Sequence, residues 1–96
     1  MKRNCQILSV NELAREAADC IQRLEGAKIK YKVDSCTLSD NGDLSISVWN
    51  EQTNRFDIMR RFTGNELAYI VNMPLWEVVM IDRGGFDERA ILFYEL

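Results

Sequence analysis

Histidine is absent from the 96 residues of this chain. That absence removes the commonest general base, the usual nucleophile-histidine pairs and most zinc sites together. An enzyme built from this sequence would depend on carboxylates, lysine, tyrosine or cysteine alone. Long apolar runs are missing too. The opening stretch, MKRNCQILSV, has two basic residues but nothing of the length a secretory signal or membrane span requires. The expectation is a cytoplasmic protein without a membrane partner. Nor does one sign of charge dominate: 12 basic and 15 acidic side chains leave a net −3, too little to draw a phosphate backbone broadly and too mild for a DNA mimic.

Cysteine is scarce and odd in number. Cys5, Cys20 and Cys36 match neither a disulfide framework nor zinc-ligand spacing. All three read as reduced. Cys20 and Cys36 suit small buried hydrophobes better than a redox pair. No metal or cofactor is implied. The string DNGD, residues 40–43, lacks the ligand spacing and terminal glutamate of a calcium loop and reads as a capped turn. The stretch DRGGFDER, residues 82–89, offers two glycines and two arginines to a phosphate, but it lies between strands and carries three carboxylates, so a hairpin loop is favoured.

The length admits one domain, and an apolar share of 47% excludes disorder. Two near-copies of one phrase, LSVNELA at 8–14 and FTGNELA at 62–68, mark helix starts. In each, a hydroxyl residue stands three positions before a glutamate, Ser9 before Glu12 and Thr63 before Glu66, the pattern that satisfies two unpartnered backbone N–H groups reciprocally. Flanking apolar pairs, Leu8 with Leu13 and Phe62 with Leu67, fix the angle of entry. Local chemistry explains the repetition without duplication. The first helix is predicted over about 10–25, ended by Gly26, with Val10, Leu13, Ala14, Ala17, Ile21 and Leu24 on one stripe. The second is predicted over about 64–72, stopped by the lone proline, Pro74.

Between the helices, KIKYKV alternates, with Ile29, Tyr31 and Val33 on one face and Lys28, Lys30 and Lys32 on the other. Cys36 and Leu38 then continue on the opposite parity, which predicts a bulge near Asp34 and Ser35. The next two strands turn Leu44, Ile46, Val48, Phe56 and Ile58 inward, and Ser45, Ser47, Trp49, Asp57, Met59 and Arg61 outward. LWEVVMID and RAILFYEL are apolar on both parities, as in strands covered on both faces. The predicted fold is α+β, a single domain in the order α-β-β-β-α-β-β, with a five-stranded, mainly antiparallel sheet and two helices packed on one face.

Two helices cannot cover both sides of such a sheet. With a five-residue loop from Arg83 to Asp87, Val79 would stand opposite Ile91, so that Val79, Ile81, Ile91 and Phe93 would form an uncovered apolar face rimmed by Glu77 and Glu95. Trp49 is a further candidate contact. Trp76, in a strongly apolar strand, reads as core. The leading reading is a non-enzymatic module that binds a protein or a second copy of itself: an adaptor, inhibitor or regulator of the kind mobile elements encode. The alternative is a single-strand nucleic-acid binder using Lys28, Lys30, Lys32 and Arg61 as charges and Trp49 as a stacking ring. A small enzyme is the least favoured class.

Overall fold

The computed structural model describes residues 4–25 and 30–95, without the side chains of residues 25 and 56–58. Strand β1 (Cys5–Ser9) runs directly into helix α1 (Val10–Glu25), followed by β2 (Tyr31–Leu38), β3 (Leu44–Asn50) and β4 (Arg55–Phe62). Helix α2 (Gly64–Ile70) then leads to β5 (Leu75–Arg83) and β6 (Phe86–Tyr94). The chain is thus a small single-domain α+β fold with two helices and six strands among the described residues. They form two three-stranded antiparallel sheets: β1-β6-β5, called sheet A, and β2-β3-β4, called sheet B. This corrects the expected single five-stranded sheet. The strand added at the front of the chain, β1, gives β6 its second neighbour.

Both capping boxes form. Glu12 N–H donates to Ser9 Oγ at 3.3 Å while Ser9 N–H donates to Glu12 Oε1 at 3.5 Å. The Thr63 pair repeats this at 3.2 and 3.1 Å. Helix α1 has the predicted bounds, although the proposed stop at Gly26 lies outside the described residues. Helix α2 ends earlier than expected. Asn72 takes a left-handed φ of 60°, and Met73 N–H and Asn72 N–H return to the carbonyls of Ala68 and Tyr69, closing the helix before Pro74 has any influence.

Sheet B follows the predicted alternation, except that Ser47, expected outward, is buried, its hydroxyl 2.7 Å from that of Ser35. Its register shifts between Val33 and Ser35, so Val33 pairs with Val48 before the bulge and Cys36 with Ile46 after it, and both stay on the inner face. Leu38, Leu44, Ile46, Val48 and Phe62 are buried there. They meet Leu13, Ala14, Ala17 and Ile21 of α1, Leu67 and Ala68 of α2, and Leu8, Ile91 and Phe93 of sheet A in one core. Leu24, predicted for the helix stripe, is instead exposed. The expected inward placement of Phe56 and Ile58, the outward placement of Asp57, and Ile29 itself, lie outside what is described.

Trp76 fastens the two sheets together. From β5 its ring lies against Gly42, in the β2-β3 turn, and Gly64, at the start of α2, while Nε1 donates to Asn65 Oδ1 at 2.8 Å. Arg89 of β6 adds a second tie, donating to the Leu38 carbonyl at 2.8 Å and pairing with Asp40 at 2.7 Å.

Candidate functional site: the outer face of sheet A

The β5-β6 turn determines which side chains this face presents. Only Gly84 and Gly85 separate the strands, with φ of 61° and 91°, the two left-handed values of a type I′ turn. Arg83 therefore faces Phe86, Val79 faces Ala90, and Val78 faces Ile91. The expected five-residue loop differs from this register by one residue, and a slip of one residue exchanges the faces of a strand. Ile91 and Phe93, expected on the open face, instead have 0% exposure in the core. Val79 and Ile81 stay on the other side with Glu77, and their neighbours across β6 are Ala90, Glu88 and Leu92.

The outer face thus runs from Ile7 of β1 through Leu92 and Tyr94 of β6 to Leu75, Val79 and Ile81 of β5. Ile7 is 49% exposed and the other five are half-buried. Phe86, 78% exposed at the hairpin tip, falls on the same parity. Leu8, Ile91, Phe93 and Trp76, which join the core lined by both helices, all project to the opposite side. On the outer face Ser9 and Ala90, where β1 gives way to α1, are buried. Glu77 is an exposed charge within it. At one end Arg83 joins Glu12 at 2.9 Å and Glu88 at 3.7 Å. Glu12 consequently holds its proton less tightly than an ordinary glutamate, first because of the Ser9 hydroxyl and then because of Arg83. Glu95, the other predicted rim residue, is exposed beyond β6, its N–H bonded to the Asn4 carbonyl at 3.1 Å.

Sequence reasoning misses β1 because CQILS is five residues long and shows no clean alternation. The available signal is indirect: β6, apolar on both parities, needs a neighbour on each side, and the apolar stretch before Ser9 belongs to no predicted element.

The alternative basic face divides differently. Lys32 and Trp49 are directly paired on the outer side of sheet B, with Lys30 exposed just before β2. Lys28 lies outside the described residues. Arg61 stands opposite Ser45, at the far end of the sheet from Trp49, and is ion-paired with Asp43. Asp34 and Glu51 line the same cleft as Lys32 and Trp49. Carboxylates thus accompany both ends. Trp49, expected as a further contact of the apolar face, belongs to β3 of sheet B and not to sheet A.

The remaining candidates are occupied locally. Asp40 and Asp43 diverge to Arg89 and Arg61 instead of converging on a cation, and among the described residues no cluster of three metal-ligating side chains occurs. Asp82 Oδ1 accepts the Gly85 N–H at 3.0 Å, taking the amide that a phosphate cradle would need. Cys5, Cys20 and Cys36 are free thiols; burial, with Glu88 nearby, makes Cys36 harder to ionise than an ordinary cysteine. No described helix is long and apolar enough to cross a membrane. The chain has no significant match among protein-family models, curated proteins or solved structures.

Proposed function

We propose that the chain is a non-enzymatic protein-interaction module, an adaptor, inhibitor or regulator, that docks a protein partner on the outer face of sheet A. The observation that carries this reading is the apolar face itself: Ile7, Leu75, Val79, Ile81, Leu92 and Tyr94 share the side of sheet A turned away from the core that both helices line. A contiguous apolar surface of this kind is costly to leave in water and commonly marks an association site. Half-exposed aromatic and aliphatic side chains around Glu77, with Glu88 already paired to Arg83 at the edge, suit a partner with an apolar patch and a basic residue.

The test is affinity capture from the native host by the tagged chain and by two variants, Ile7→Lys and Leu92→Glu, with folding verified by circular dichroism. Both should release a partner that the wild type and Lys32→Glu retain. Release by Lys32→Glu, with retention by both sheet A variants, would move function to sheet B. A second reading rests on the cross-strand pair of Lys32 and Trp49, a charge beside a ring, as a site for single-stranded nucleic acid. It requires salt-sensitive binding of a single-stranded oligonucleotide that is lost in Lys32→Glu.

A further inference from the structure

β5 is an outer strand of sheet A, and the turn after it specifies which of its backbone groups are unused. In a two-residue hairpin the residues flanking the turn form a hydrogen-bonded pair, so Arg83, Ile81, Val79, Glu77 and Leu75 bond inward to β6. The N–H and C=O groups of Trp76, Val78, Met80 and Asp82 therefore point away from the sheet. Strands that must not pair further are usually short, bulged, or protected by lysine or proline. β5 has nine residues, an unbroken register and neither residue type. Its Trp76 end lies against α2 through Asn65, and among the described residues no strand pairs with the edge from Glu77 to Arg83, with Met80 at its centre.

We infer that the open edge of β5 pairs antiparallel with the same edge of a second copy, Met80 facing Met80, to make one six-stranded sheet. The charges select this arrangement. Centred on Met80, each Glu77 stands opposite the second copy's Arg83, and Val79 stands opposite Ile81. Parallel pairing would set Glu77 beside Glu77 and Arg83 beside Arg83, and centring on Val78 would bring the two Glu77 carboxylates within diagonal reach while driving the partner strand towards α2. Arg83 engages Glu12 through Nη2 and Glu88 through Nε, leaving Nη1 for a third carboxylate. The two-fold axis runs perpendicular to the sheet, so the dimer presents both outer faces side by side and leaves them open to the partner proposed above. It uses the edge, not the face, and therefore goes beyond that reading.

A seven-residue strand pairing sits at the small end of interfaces, so sedimentation of the full chain is followed from about 10 μM to about 1 mM. The wild type should pass from monomer to dimer across this range. Met80→Pro removes an outward N–H and no bond within sheet A, so it should stay folded and monomeric. Glu77→Arg, at an exposed position, places arginine opposite arginine and should weaken the dimer by about tenfold or more. On oxidation, Met80→Cys should give a dimer cross-linked through the introduced thiols, identified by peptide mass spectrometry, in higher yield than Val79→Cys gives through its own. A wild type that remains monomeric to about 1 mM overturns the inference, as does a dimer indifferent to Glu77→Arg. A dimer broken by Ile7→Lys or Leu92→Glu but not by Met80→Pro would show face-to-face pairing instead. Loss of the dimer in Met80→Pro with partner capture intact separates this inference from the proposed function.

Discussion

Gly64→Ala should destabilise the protein, although alanine is the better helix former. Gly64 is buried at the first position of α2, and a Cβ built there would overlap Cζ2 and Cη2 of Trp76. The ring has nowhere convenient to go. Its other edge rests on Gly42, where a Cβ would come within 2.7 Å of Cη2, and its Nε1 is held by Asn65. Overpacking of this kind costs roughly 1–3 kcal/mol, and losing the indole hydrogen bond would add about 1 kcal/mol. Against this, replacing glycine in a helix gains at most about 1 kcal/mol. The balance is a loss of about 1–3 kcal/mol, or roughly 4–24 °C in Tm for a domain of this size. Thermal and urea unfolding followed by far-ultraviolet circular dichroism measure it. In a Trp76→Leu background the clash disappears and the same substitution should become neutral or stabilising. A rise in Tm for Gly64→Ala in the wild-type background would refute the account of Trp76 as a fixed tie between the sheets.

Phe93→Ala should cost about 3–5 kcal/mol in chemical denaturation, because a side chain with no exposure leaves a cavity; a loss below about 1 kcal/mol would return Phe93 to the surface. Glu12 yields a pH prediction. Its folded pKa lies below the ordinary 4.5, so its contribution is complete above the unfolded value and lost as pH falls through the folded one. The stability gap between wild type and Glu12→Gln should therefore be constant from neutral pH down to about 5.5 and shrink below about 4.5, measured by urea unfolding at each pH; a gap that widens on acidification would contradict the Ser9 and Arg83 contacts.

Signals that act within a few residues were legible in the sequence. Ser9 with Glu12 and Thr63 with Glu66 mark both helix starts because a capping box needs only four consecutive residues. The parity change between Val33 and Cys36 revealed the bulge, since a bulge must shift every later side chain to the other face. The candidate face was half legible. Val79, Ile81 and Glu77 lie on it, but Ile91 and Phe93 do not, because β5 and β6 are apolar on both parities and no polar face pins their register. Turn length alone decides, and the flexible pair Gly84–Gly85 can serve a two-residue or a longer loop equally well on paper. β1 was illegible for a different reason: its partner is set by distant pairing, and no local rule links Ile7 to Leu92. The division into two sheets has the same origin, since it depends on which edges meet after α2.

The order of strands in sheet A has a consequence for how the protein is born. The middle strand, β6, is synthesised after both of its neighbours, and Ser9 leaves the ribosome about eighty residues ahead of Ala90, its partner. At typical elongation rates of ~5–20 residues per second, β1 waits roughly 4–16 seconds for the strand it must join. Throughout that interval Leu8 has no β6 beside it, and nascent chains spaced along one message would carry unpaired edges of the same sequence.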